Sequence, residues 1–142
     1  MLIVALSCLA LIALTTLIHY EALRTLNGAL PRLNIPKRSK LLVVMFSAFV
    51  AHAVEIAVYG LTLFLLVTVE GFGNLNGPAG FSLTNCLYFS AETYTSLGFG
   101  DLTPVGPVRL LAGVEALNGL LLIGWSASYA YLSMERFWNM PD

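Results

Sequence analysis

Thr95-Ser96-Leu97-Gly98-Phe99-Gly100-Asp101 is the stretch on which the fold turns. Two glycines alternate with apolar residues, Leu97 and Phe99. Glycine reaches positive φ without steric cost. Alternating Gly98 and Gly100 therefore let several successive carbonyls point the same way. A row of backbone carbonyls can replace the water that a cation sheds on leaving solution. Irregular backbone of this kind is tolerated at membrane depth only where it is buried in protein or lines a water-filled cavity. The stretch is thus a pore candidate if the chain around it is a membrane protein.

Composition says that it is. The 142 residues are 58% hydrophobic and only 11% charged, with a mean hydropathy of +0.81. A soluble domain carries about 25% charged residues. Soluble globular and disordered classes are both excluded on these figures. The net charge of −1 offers no basic footprint for nucleic acid. Two cysteines, Cys8 and Cys86, give no disulfide framework and no metal-ligand cluster.

Working outward from the glycines, residues 83–95 form an apolar segment too short to span a bilayer, the length of a re-entrant or interfacial helix. Runs of about 20 apolar residues, the length a bilayer needs, flank it at 41–69, interrupted by His52 and Glu55, and at 108–134, which contains Glu115. A further run, 2–18, carries no charge. It lacks the basic leader and small-residue cleavage site of a signal peptide, so it reads as a third span. Five of the seven Lys and Arg residues lie between the first two runs: Arg24, Arg32, Lys37, Arg38 and Lys40. The positive-inside rule makes that linker cytoplasmic. The N-terminus is then outside, 70–107 faces outward, and the C-terminus is cytoplasmic. Trp125, Tyr129, Tyr131, Phe137 and Trp138 gather towards that inner end as an aromatic belt. Pro31 and Pro36 exclude one continuous helix through the linker. Residues 19–30 are expected to form a short amphipathic helix on the membrane surface, and 71–80 an exposed, turn-rich loop.

Ser90-Ala91-Glu92-Thr93-Tyr94-Thr95-Ser96-Leu97-Gly98-Phe99-Gly100-Asp101-Leu102-Thr103-Pro104 resembles the pore helix and selectivity filter of bacterial two-helix potassium channels. The resemblance covers 41–134. It implies an all-α membrane protein with a tetrameric potassium-channel pore. The outer helix would be 41–69, the pore helix 83–95, the filter 95–101 and the inner helix 108–134. Residues 1–40 would add a transmembrane helix and basic linker, and 135–142 a short cytoplasmic tail, with no regulatory domain expected after it. Thr95, Ser96, Leu97, Gly98, Phe99 and Gly100 would form the ion path. Backbone carbonyls of Ser96, Leu97, Gly98 and Phe99 would hold K+, and the Ser96 hydroxyl would complete the innermost site. Glu92 and Asp101 resemble a carboxyl pair that braces the filter from behind, with Tyr88 bonding Asp101. Gly119 stands near the family's inner-helix hinge, followed by Gly124. Both also suit close helix packing.

His52, Glu55, Tyr59 and Thr62 follow spacings that put them on one face of the second span. A polar stripe faces protein rather than lipid, and Glu115 and Asn118 on the third span can meet it. The cluster is either a proton sensor or a hydrogen-bonded link between helices. No nucleophile accompanies it, and no enzyme is expected. The resemblance departs at Ser96, which lacks a Thr methyl, at Leu97, which is not β-branched, and at Phe99, which lacks a Tyr hydroxyl.

The expected function is passive, potassium-selective conduction by a homotetramer, with K+ as cargo and no organic cofactor. A weakly selective cation channel and a non-conducting channel-like subunit are the alternatives. The expected setting is lipid of a prokaryotic plasma membrane, with an unidentified regulatory partner as one source of gating.

Overall fold

The structure is a computed structural model and describes residues 1–69, 71–78 and 80–138. Three of its helices are long and apolar enough to cross a membrane: Leu2–Arg32, Lys37–Thr68 and Val108–Trp138. The chain is a multi-pass membrane protein.

The first of these is α1, Leu2–Ala29, closed by a 3-10 turn over Leu30–Arg32 that contains Pro31. Its buried residues are Val4, Cys8, Leu11, Thr15, His19, Leu23 and Leu26. They recur every three or four positions and so form one stripe. The separate surface helix expected over 19–30 does not exist. Glu21 and Arg24 sit on the exposed face, where they pair at 3.1 Å. His19, Leu23 and Leu26 continue the buried stripe. Polarity that reads as a change of element is therefore only a change of face.

A 3-10 turn at Lys37–Ser39 leads into α2, Lys40–Thr68. The last long helix, α4, runs from Val108 to Trp138, so Glu135 and Arg136 lie on it. Residues 139–142 of the expected tail lie outside the described residues. The three long helices pack against one another. At one end Leu26, Leu30, Val44 and Phe137 cluster, and the Lys40 ammonium lies 5.2 Å from the Phe137 ring centre. At the other, Val4 and Cys8 share a core with Leu66, Leu75, Leu102 and Val108. The basic linker and the C-terminal end of α4 are thus at one end of the bundle, and residue 1 is at the other.

The short helix α3, Leu83–Tyr94, packs against α2 and α4. Ser82 caps it: its backbone is extended (φ −155°) and its Oγ accepts from Asn85 N at 3.1 Å. Part of the expected 71–80 loop is paired backbone. Asn74–Asn76 forms β1, antiparallel to β2, Thr103–Val105, with Leu75 opposite Pro104. This two-stranded turn ties the chain before α3 to the chain after residues 95–101.

Candidate functional site

Residues 95–101 follow the C-terminal end of α3, and all are exposed on the single subunit. Ser96, Gly98 and Gly100 have φ of +58°, +56° and +79°. Every second residue is left-handed. An added Cβ at Gly98 or Gly100 meets nothing within 4 Å, so conformation rather than space calls for glycine there. Ser96 holds its angle without that freedom, a strain of about 1–2 kcal/mol for an L-residue, of the kind that collects at functional sites.

The amides explain what holds the strain. Ser96 N donates to Thr93 O at 2.9 Å, and Leu97 N and Gly98 N both donate to Glu92 O at 2.8 and 3.2 Å. Phe99 N donates to the Glu92 carboxylate at 2.9 Å. All four amides are turned back onto α3. In a trans peptide the N–H opposes the preceding C=O, and no cis peptide occurs among the described residues. The carbonyls of Ser96, Leu97 and Gly98 therefore point to the open side.

Glu92 and Asp101 take separate partners within the subunit. Glu92 is buried and holds Phe99 N, whereas Asp101 accepts from the Tyr88 hydroxyl at a long 3.4 Å. The Tyr88 ring also lies parallel to Phe99, 6.5 Å between centroids. Desolvation first, then the Asp101 carboxylate, pushes the Tyr88 phenol up, which keeps it a donor. The Thr95 hydroxyl bonds back to its own helix, donating to Ala91 O at 2.8 Å.

Gly119 sits where α4 crosses the end of α3. A Cβ there would lie 2.1 Å from the Tyr94 carbonyl oxygen, whereas Gly124 has open space. α4 passes both glycines unbroken.

Behind α3 the polar stripe of α2 is fully engaged, though not as a single patch. Asn118 donates to Tyr59 at 3.1 Å and to Thr15 of α1 at 2.8 Å. Glu115 meets Ser90 of α3 instead, and Ser90 Oγ also lies 2.8 Å from Ile56 O. Thr62 bonds its own helix at Val58 O. Glu55 is fully buried. Its Oε1 lies 2.9 Å from His19 Nδ1, its Oε2 lies 3.1 Å from His52 Nδ1, and Tyr94 donates to Oε2. Both histidines reach Ser126 Oγ through Nε2, at 3.2 Å for His19 and 3.0 Å for His52. Trp125 packs on His19, 5.3 Å between rings, rather than simply extending the inner belt.

His19, Tyr94, Ser126, Ser90 and Thr15 are the members that sequence reasoning missed. Thr15 and His19 were findable, because they are four apart on the stripe of Val4, Cys8 and Leu11. The expectation of no metal-ligand cluster was drawn from the two cysteines; His19, His52 and Glu55 bring three possible ligand atoms within 4.8 Å of one another without them.

A sequence profile for a family described as "Ion channel" matches residues 40–135, more than half of the chain. An inward rectifier potassium channel, Kirbac3.1 of Paramagnetospirillum magnetotacticum, is 38% identical over 56 residues, 39% of this chain. That match spans 19% of the relative's own length. No solved structure matches the chain.

Proposed function

Because the chain belongs to the ion-channel family, with potassium-channel pore homology and an apolar helix added before the two-helix core, we propose that it conducts potassium passively through a homotetrameric pore. It is a transport protein, not an enzyme. The observation that carries the proposal is the left-handed alternation at Ser96, Gly98 and Gly100 together with four amides turned onto α3. That arrangement frees a row of carbonyls. One subunit supplies one row, and a filter needs four. Leu97 and Phe99 are 60% and 66% exposed on the lone chain, which suits residues awaiting a neighbour.

In this reading α3 is the pore helix, re-entrant from outside, with its negative C-terminal end towards the central cavity. Residues 95–101 are the filter, with K+ held by the carbonyls of Ser96, Leu97, Gly98 and Phe99. Glu92 braces Phe99, and Tyr88 with Asp101 braces the outer mouth. Gly119 and Gly124 are hinge candidates, with Gly119 also needed for packing. The basic linker and C-terminus are cytoplasmic and the N-terminus outside, in a prokaryotic plasma membrane.

Potassium flux into liposomes carrying the purified protein tests this, with sodium in parallel and native mass measurement of the assembly. The expected result is four copies and flux of potassium above sodium. Equal fluxes favour the second reading, a weakly selective cation channel, to which Ser96, with no Thr methyl, and Leu97, with no branch at Cβ, point. Absence of flux at every voltage and pH contradicts both.

A further inference from the structure

We propose that His19, His52 and Glu55 form a binding site for a divalent first-row transition ion, with zinc as its probe. The inference does not depend on conduction. Two imidazoles and one carboxylate are an established zinc donor set. Two ligands on a tetrahedral zinc stand roughly 3.4 Å apart, from bonds of about 2.0–2.1 Å. Glu55 Oε1 lies 2.9 Å from His19 Nδ1 and Glu55 Oε2 lies 3.1 Å from His52 Nδ1, and one ligand atom from each residue can be chosen with all three within 4.8 Å of one another. Small rotations bring all three onto one centre. The Tyr94 oxygen lies 2.9 Å from His52 Nδ1 and bonds Glu55, so a fourth donor atom faces the same point.

The outer contacts fit the same purpose. Metal-bound histidines hold their second nitrogen on a hydrogen-bond acceptor, which fixes tautomer and orientation. Here both Nε2 atoms converge on Ser126 Oγ. A hydroxyl oxygen has two lone pairs, so Ser126 can accept from both Nε2–H groups at once. That is the tautomer that bares both Nδ1 lone pairs towards Glu55. Ligation uses those lone pairs, so an entering ion competes with protons for them. His52 is the ligand nearest the subunit's surface, with its side chain 17% exposed. It lies with Ser126 on an apolar groove between α2 and α4, flanked by Met45, Phe49, Ile123 and Ala127.

The site would join four helices. His19 comes from α1, outside the family-matched residues 40–135; His52 and Glu55 come from α2; Tyr94 is the last residue of α3 and Ser126 sits on α4. An ion would lock the added helix to the residue that precedes Thr95.

The test uses untagged, detergent-solubilised full chain. Metal content after dialysis against low-micromolar zinc should approach one ion per chain. Cobalt(II) should give the strong visible absorption of a four-coordinate site. His19→Gln and His52→Gln should each lose the bound zinc while keeping the assembly's elution position. Ser126→Ala, which removes only the outer contact, should weaken binding roughly 10- to 100-fold. Zinc absent from the wild type overturns the site, as does equal retention by both histidine variants. If a histidine variant does not fold, the wild-type cobalt spectrum decides: weak, six-coordinate absorption also overturns it.

Discussion

Replacing Gly119 with alanine should damage the protein far more than replacing its neighbouring glycines. The added Cβ would lie 2.1 Å from the Tyr94 carbonyl oxygen and 2.9 Å from its carbon. The oxygen contact falls about 0.9 Å short of the 3.0 Å that real Cβ atoms respect. Those two atoms are backbone, so no change of rotamer relieves the clash. Either α4 moves away from α3 or the end of α3 shifts, carrying residues 95–101 with it. Overpacking of a filled site costs about 1–3 kcal/mol, which is a fall of roughly 3–10 °C in Tm for a chain of this size. Gly113 and Gly124 lie on the same helix with nothing within 4 Å of an added Cβ. Alanine there should be neutral or stabilising by up to about 1 kcal/mol. Thermal unfolding of the three variants, alongside potassium flux, checks the reasoning. Equal Tm values for Gly119→Ala and Gly124→Ala would refute it, because the close approach of α4 to Tyr94 would then not exist.

Glu92→Ala strips the Phe99 amide of its acceptor and should destabilise by about 1–3 kcal/mol, with Glu92→Gln restoring much of the loss; Tm and the flux ratio of the two variants test this. Gly98→Ala places a side chain at φ +56°, a strain of about 1–2 kcal/mol in each subunit. It should abolish flux while the assembly keeps its native mass. Asn118→Ala leaves the Thr15 and Tyr59 hydroxyls without their donor and should cost about 1 kcal/mol, given roughly 0.6 kcal/mol per hydrogen bond between membrane helices. Faster cysteine cross-linking or proteolysis of α1 would report its loosening. Tyr88→Phe removes only a 3.4 Å bond at an exposed edge and should leave Tm within about 0.5 kcal/mol equivalent of wild type.

What the sequence made legible followed from strong, local signals. Three long spans, a short intervening helix and the glycine alternation needed only length, hydropathy and the conformational freedom of glycine. The added helix was harder. Its hydropathy falls after residue 18, yet the helix continues because Glu21 and Arg24 share the outer face while His19, Leu23 and Leu26 keep to the inner one. A window average cannot separate faces. The roles of Tyr94 and Ser126 were invisible because they depend on α1, α2, α3 and α4 meeting at one level, and spacing within one helix does not encode that. The β1–β2 pairing was missed because three-residue strands rich in Asn and Pro carry no periodicity. Gly119 lay between hinge and packing in the sequence, and only the position of the Tyr94 carbonyl shows the close approach.

The most direct test of the central claim is the reversal potential of the reconstituted protein, with potassium on one side of the bilayer and sodium on the other. A potassium-selective filter predicts a displacement of at least about 59 mV, the value for a tenfold preference at one charge per ion. That displacement should vanish with the current in Gly98→Ala. A wild-type current that reverses near zero would contradict potassium selection by residues 95–101.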